Sequence, residues 1–186
     1  MIVFLNGPFG GGKSSVAEHL LTHIPGSLLF DPEEVGFMLR AILPGREKDF
    51  QELPPWRPLV AATAAEVLAY AGGPLIAPMS LLRHDYATEI FSALDKRGIA
   101  VHHILLHADP ATVRERITGH QMFPDDPARS QKVTGFRLRN LPRYEHAYAE
   151  WLATEAHVID TTTCTPAEAA DQAAAFLAGT AADDPR

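Results

Sequence analysis

A glycine-rich run near the amino terminus has the residue types and spacing of a phosphate-binding loop. Residues 7–14 read Gly-Pro-Phe-Gly-Gly-Gly-Lys-Ser, which matches the pattern Gly-x-x-x-x-Gly-Lys-[Ser/Thr]. Glycines let the backbone curl so that several N–H groups point at phosphate oxygens, and the lysine adds a mobile positive charge. The serine hydroxyl is a hard oxygen ligand suited to Mg²⁺. The pattern therefore predicts a site for a nucleoside triphosphate with Mg²⁺.

The predicted nucleotide contacts lie in this loop and on one later helix. The loop contacts are Gly7, Phe9, Gly10, Gly11, Gly12, Lys13, Ser14 and Ser15. Arg116 and His120 stand four residues apart, so they share one helix face, and Arg116 can approach the nucleotide from the side opposite Lys13. We expect Lys13 and Arg116 to act in catalysis by neutralising phosphate charge.

Asp31 is the acid best placed for chemistry. It follows a short apolar strand, so it should lie at the same sheet edge as the phosphate loop. A carboxylate there can accept a proton from a substrate hydroxyl, contact that substrate, or act with Ser14 on Mg²⁺. The alternative is a plain helix N-cap before Pro32, and two carboxylate oxygens allow both roles. Pro-Met-Ser at 78–80, around the end of the predicted third strand, contains no second acid.

Basic residues concentrate where a lid would close. Seven of the 16 Lys and Arg residues fall between Arg114 and Arg143. Residues 120–130 are polar and proline-rich, which predicts a loop, and we expect a lid over 118–140. The lid candidates for neutralising transferring phosphate are Arg129, Arg137 and Arg139. The candidates for the second substrate are Phe50, Trp56 and Arg57, with a helix-start tryptophan as the alternative for Trp56.

Strands and helices alternate along the chain, which predicts one α/β domain over residues 1–186. The predicted strands are 2–6, 27–30, 75–79, 99–107 and 158–159. The predicted helices are 13–23, 32–43, 54–71, 85–96, 110–119, a segment from 131 to 153 interrupted at Pro142, and 166–178. We expect a three-layer sandwich with a five-stranded parallel sheet in the order 2-3-1-4-5, as in P-loop nucleoside-monophosphate kinases.

Composition excludes several classes of protein. The net charge of −7 argues against a nucleic-acid binder. A single cysteine, Cys164, excludes an internal disulfide and a cysteine-based zinc site. The longest low-charge stretch, 59–82, contains Glu66 and a Gly-Gly-Pro break, so a membrane span is not expected. We expect a cytoplasmic monomer or homodimer.

Several segments together resemble the ATP-binding tunicamycin-resistance proteins. They are the loop at 7–14, Phe-Asp-Pro-Glu at 30–33, Gly-Phe-x-Leu-Arg at 36–40, Asp-Phe-Gln at 49–51 and Trp-Arg at 56–57. The similarity spans most of the first 120 residues and includes Pro78-Met79 and residues 108–117. It implies ATP as the nucleotide and resistance to a uridine-containing antibiotic, and it adds Arg40 and Met79 to the substrate contacts.

The chain is also similar to antibiotic phosphotransferases, in which the acid after strand two is the catalytic base. The sequence departs from the pattern of these families in two ways. His120 stands where many such kinases place a lid arginine. The short, acidic carboxyl terminus lacks a basic amphipathic tail, so membrane association is not expected.

Three functions remain open from sequence. The first is transfer of the ATP γ-phosphate to a hydroxyl of a nucleoside-type antibiotic such as tunicamycin. The second is ATP-dependent sequestration of the drug without transfer, which the missing acid after strand three favours. The third is phosphorylation of a metabolite such as a nucleoside or sugar by the same machinery. A regulatory GTPase is disfavoured because the Asn-Lys-x-Asp guanine signature is absent.

Overall fold

The fold is a parallel sheet covered by helices on both faces. A computed structural model describes residues 1–44 and 49–183. The strands are β1 Ile2–Asn6, β2 Leu28–Leu29, β3 Leu75–Pro78, β4 Val101–His107 and β5 His157–Asp160. They pair in the order β2-β3-β1-β4-β5, and every pairing is parallel. The predicted fold class and strand order are confirmed.

Eight α-helices connect or follow these strands in the described part of the chain. They are α1 Lys13–His23, α2 Pro32–Ile42, α3 Trp56–Ala71, α4 His84–Asp95, α5 Pro110–Gly119, α6 Pro127–Ala147, α7 Ala153–Glu155 and α8 Pro166–Asp183. A 3₁₀ turn at Phe50–Glu52 precedes α3, and a π-helical turn at Tyr148–Leu152 follows α6. Within these described residues, no helix has the length and apolar character needed to cross a membrane.

Alternation along β1 builds a core on each side of the sheet. Ile2 and Phe4 point into one apolar cluster, formed mainly with α2, α3, α4 and α6. Val3 and Leu5 point into the other, formed with α1 and α8. Because successive side chains of a strand face opposite ways, a strand that is buried on both faces reads as a continuous apolar run.

The structure differs from the sequence prediction around α6. The predicted loop 120–130 ends early, because α6 begins at Pro127 with the Asp126 carboxylate accepting a hydrogen bond from the Arg129 N–H. The predicted interruption at Pro142 is wrong, since the helix continues to Ala147. Proline removes one helical hydrogen bond. Here Leu141 and Tyr144, each 2% exposed, pack on the core and hold the helix together across that position.

Candidate functional site

A cavity of about 1220 Å³ opens at the carboxyl ends of the strands. Its wall begins with the phosphate loop after β1 and continues with residues that follow β2, β3 and β5. Helices α5 and α6 contribute the remaining side. Ligands of open parallel sheets bind at this edge, because the loops from several strands converge there.

Glycine geometry shapes the phosphate loop. Gly10 and Gly12 have φ values of 80° and 81°, a region that other residues rarely adopt. A Cβ at Gly10 would also lie 2.8 Å from the side chain of Ile117, and one at Gly7 would lie 2.6 Å from the Leu106 carbonyl oxygen. Gly12 caps α1, so the free N–H groups of that helix face the cavity.

Lys13 places its ammonium within this loop. Its Nζ donates hydrogen bonds to the carbonyl oxygens of Gly7 at 3.1 Å and Pro8 at 2.8 Å, and to the Ser80 hydroxyl at 2.8 Å. Loss of water around the ammonium lowers the pKa of Lys13 from 10.5 to about 7, while the Glu33 carboxylate opposes that shift. Ser14 and Ser15 line the same cavity as Lys13.

Two carboxylates from the start of α2 line the cavity. Asp31 is the N-cap, with Oδ1 accepting from the Glu33 N–H at 2.8 Å, so this cap uses one of its two carboxylate oxygens. Glu33 is an acid that the sequence pattern did not single out as a site residue. Burial, and then the neighbouring Asp31 charge, raise the pKa of Glu33. Its position in the first turn of α2, beside Asp31, could have indicated a site residue. Acids in a first turn, however, usually stabilise the helix through its dipole.

Arg116 and His120 line the cavity from α5. The Arg116 guanidinium donates to the Thr161 carbonyl at 2.5 Å and lies 3.3 Å from the Thr161 hydroxyl. Val113 and Ile117 are buried at 0% and 1% exposure, so α5 turns its other face toward the cavity. Arg116 is therefore already oriented by the loop after β5.

The three arginines predicted for a lid occupy different places in the structure. Arg137 lines the cavity, and its electrostatic influence reaches both Lys13 and Glu33. Arg129 instead lies over the Phe123 ring at 3.8 Å, and neither Arg129 nor Arg139 is among the lining residues. An edge-to-face contact between Phe9 and Phe136, 5.3 Å between ring centres, joins the phosphate loop to α6.

The residues predicted for the second substrate divide into two groups. Met79 lines the cavity although it is only 2% exposed. Trp56 is completely buried and donates its indole N–H to the Pro32 carbonyl, so its ring does not face the cavity. Arg57 pairs with Glu89 at 2.5 Å and donates to the Gln51 carbonyl, also outside the cavity wall. Both residues lie outside the cavity wall rather than on it.

Phe50 and Arg40 lie behind the same wall. Phe50 is 8% exposed, its ring centre is 5.6 Å from that of Trp56, and the Arg40 guanidinium lies 5.1 Å from the Phe50 ring centre. Gly36 makes this packing possible, because a Cβ there would lie 2.4 Å from the Phe50 ring. The Gly-Phe and Asp-Phe-Gln segments of the sequence therefore form one packing unit.

Gly36→Ala should expel Phe50 from its position. We expect the free energy of unfolding to fall by roughly 1–3 kcal/mol, as for other overpacked sites. Chemical denaturation measures this. Gly179→Ala is the matched control, since nothing lies within 4 Å of its added Cβ and alanine favours a helix. Equal stability of Gly36→Ala and wild type would contradict the packing argument.

The oxygen donors suit Mg²⁺ held mainly by phosphate and water. Ser14, Asp31 and Glu33 line one cavity and offer hard ligands. Among residues 1–44 and 49–183, no cluster of three or more His, Cys, Asp or Glu residues could hold a metal by itself. Such a donor set fits an ion that arrives with a nucleotide, because Mg²⁺ usually keeps several waters and binds through one or two carboxylates plus phosphate.

Fold and site together define a P-loop nucleotide-binding protein with a kinase-like architecture. The family model described as AAA domain matches residues 2–132. The structure of the Deinococcus radiodurans tunicamycin resistance protein is similar, with 33% identity, a TM-score of 0.72, and coverage of 95% of this chain and 94% of that one. The chain therefore belongs to the AAA domain family and, within the P-loop fold, to the family of tunicamycin resistance proteins.

More distant structures share the fold alone. A gluconokinase from Sinorhizobium meliloti is 19% identical, with a TM-score of 0.61 and coverage of 99% of this chain and 97% of that one. The APS kinase of Mycobacterium tuberculosis, solved with AMPPNP and APS, is 15% identical, with a TM-score of 0.59 and coverage of 95% and 96%. No curated protein sequence matches significantly.

Proposed function

We propose that the protein transfers the γ-phosphate of ATP to a hydroxyl of a nucleoside-type antibiotic such as tunicamycin. The observation that carries the proposal is that Lys13 and Asp31 line one cavity, Lys13 in the phosphate loop and Asp31 at the end of β2. A cation for the phosphates and a base for the acceptor are the two groups that phosphoryl transfer needs from a protein. Membership of the tunicamycin-resistance family supports the choice of acceptor.

Each residue has a proposed role in this reaction. The loop N–H groups and Lys13 hold the phosphates, and Ser14 with Asp31 and Glu33 would hold Mg²⁺, directly or through water. When bound, Mg²⁺ neutralises charge on the transferring phosphate. Asp31 accepts the proton of the acceptor hydroxyl, and Arg116 with Arg137 neutralises the charge that develops on phosphate oxygens.

The acceptor side is proposed to lie between α2 and the lid. Met79, Phe9 and Phe136 offer apolar contact along the cavity. Four residues behind this wall are proposed to support it indirectly, by fixing the 3₁₀ turn and the start of α2. They are Arg40, Phe50, Trp56 and Arg57. His120, which lines the cavity from α5, is proposed to contact the nucleotide rather than the acceptor.

Mass spectrometry of tunicamycin incubated with ATP, Mg²⁺ and protein tests the proposal directly. We expect a product that carries one added phosphate, with ADP released in equal amount. One control omits the protein, and a second replaces ATP with a non-hydrolysable analogue. Absence of a phosphorylated product while the drug is bound would contradict transfer.

Sequestration without transfer is the second candidate, and one observation favours it. β3 ends at Pro78, and two residues later Ser80 places a hydroxyl bonded to Lys13 where other triphosphate sites place a second acid. Drug binding that needs ATP, produces no phosphorylated drug and is unaffected by Asp31→Asn would favour this candidate. A panel of nucleosides and sugars, followed by ADP release, tests the third possibility, a metabolite kinase.

A further inference from the structure

The turn that follows β3 contains no acid, yet several hydrogen bonds fix Ser80 and Leu81 within it. Ser80 is 5% exposed, and its hydroxyl donates to the Gly7 carbonyl at 2.8 Å while accepting from Lys13 at 2.8 Å. Both roles of the hydroxyl are therefore filled by the phosphate loop. The roles assigned above to the cavity residues leave this contact unexplained.

Asn6 ties the same turn to the start of the phosphate loop. Its side chain is completely buried, and Oδ1 accepts from the N–H groups of Gly7 at 2.8 Å and Leu81 at 2.9 Å. Its Nδ2 donates to the Leu81 carbonyl at 2.8 Å and lies 3.2 Å from Nε2 of His103. Burial lowers the pKa of His103 to about 4, so the ring is neutral and Nε2 can accept.

The acceptor side reaches this turn through Gln51. The Gln51 side-chain amide donates to the Ser80 carbonyl at 3.1 Å, and Arg57 donates to the Gln51 carbonyl at 2.9 Å. The backbone of Ser80 is therefore fixed from both sides, by Asn6 through Leu81 and by Gln51. Its hydroxyl has little freedom to turn away from Lys13 and Gly7.

A bound phosphate would have to compete for the hydrogen bonds that Lys13 makes in the free protein. Its three N–H bonds go to Gly7, Pro8 and Ser80, so a phosphate oxygen must replace one of them. The bond to the Gly7 carbonyl is the longest of the three, and that carbonyl also accepts from Ser80. Lys13 can therefore leave Gly7 for phosphate without leaving a buried carbonyl unpaired, a situation that costs free energy.

We propose that Ser80 is a positioning residue for nucleotide binding: its hydroxyl keeps the Gly7 carbonyl paired and guides the Lys13 ammonium while that ammonium turns to phosphate. The proposal rests on nucleotide binding at the phosphate loop. Ser80 would thereby have a role in nucleotide binding at the position where other triphosphate sites carry a second acid. Glu33 from α2 and Arg137 from α6 are the charged groups that act on Lys13 in the free protein, and Ser80 adds an uncharged partner from the sheet.

Calorimetric titration with a non-hydrolysable ATP analogue and Mg²⁺ tests the proposal. We expect Ser80→Ala to bind about tenfold more weakly than wild type at pH 7.5, the effect of one lost bond to a charged group. Ser80→Thr, which keeps the hydroxyl, should restore most of the affinity. Ser27→Ala is the matched control, because its hydroxyl donates to the Ile24 carbonyl and Ser27 does not line the cavity.

A pH series separates positioning from a general loss of structure. The Ser80 hydroxyl accepts from the charged ammonium, so removal of the hydroxyl should lower the pKa of Lys13 further. The decrease in nucleotide affinity with rising pH should then begin at a lower pH in Ser80→Ala than in wild type. If Ser80→Ala does not fold, Ser80→Cys, with a weak sulfur acceptor, is measured instead and should bind about tenfold more weakly. Wild-type affinity and pH profile in the folded variant would overturn the proposal. Absence of binding by wild type would instead overturn nucleotide binding itself.

Discussion

Lys13→Met is expected to weaken binding of Mg²⁺-ATP by at least roughly a hundredfold. Methionine keeps the length of the side chain but removes its charge. Removal of one partner of a desolvated charge pair typically costs about 2–5 kcal/mol. The three oxygens that Lys13 contacts in the free protein would also lose their shared donor. Calorimetry or fluorescence titration with ATP and Mg²⁺ measures the effect.

The matched control for this substitution is Lys96→Met. Lys96 is exposed at the end of α4 and lies outside the cavity, so the same lysine-to-methionine change there should leave ATP affinity unchanged. Circular dichroism of both variants checks that the fold persists. Similar ATP affinity in Lys13→Met and wild type would mean that the nucleotide does not bind at this loop.

The lowered pKa of Lys13 adds a pH signature to the same prediction. In the free protein that pKa is about 7, so the amine is largely neutral at pH 8, whereas bound phosphate favours the charged form and raises the pKa. Binding above pH 7 must therefore take up a proton, and affinity should fall by up to tenfold per pH unit. Calorimetry in buffers of different ionisation enthalpy measures the uptake. Any binding that remains in Lys13→Met should lack the proton uptake that comes from Lys13.

The parts of the site that sequence predicts well are those determined locally. The loop at 7–14 needs only its own glycines, lysine and serine, with a strand before it and a helix after it. Asp31 is predicted because a strand end and an Asp-Pro helix start coincide there. The same Asp-Pro signal stands at Asp126 and Pro127, and it correctly marks the start of α6, which a composition-based loop prediction obscured.

Other features depend on packing that no local pattern reveals. Trp56 is equally compatible with a substrate platform and a core residue until the Pro32 carbonyl and the Phe50 ring are placed beside it. Whether Arg129, Arg137 or Arg139 reaches the cavity depends on the rotation of α6, which the packing of its buried face on the core decides. The hydrogen bond between Ser80 and Lys13 joins residues 67 positions apart, so no local sequence pattern predicts it.

Asp31→Asn should separate catalysis from binding. Asparagine is almost the same size as aspartate and caps helices about as well, so the bond to the Glu33 N–H and the stability of α2 should persist. It cannot accept the acceptor's proton, and loss of a general base typically costs about 10²–10⁴-fold in rate. We expect phosphorylated product to form slower by that factor, while ATP affinity measured by calorimetry changes less than about threefold.

Asp109→Asn is the matched control for Asp31→Asn. Asp109 also follows a strand, precedes a proline and caps a helix, with Oδ1 accepting from the Ala111 and Thr112 N–H groups and Oδ2 from the Thr112 hydroxyl, yet it does not line the cavity. It therefore isolates the effect of an aspartate-to-asparagine change in a cap from any effect on chemistry. If both variants kept the wild-type rate of transfer, Asp31 would be a cap alone, and another group would have to accept the proton. If only Asp31→Asn slowed transfer, the carboxylate oxygen left free by the cap would be the base.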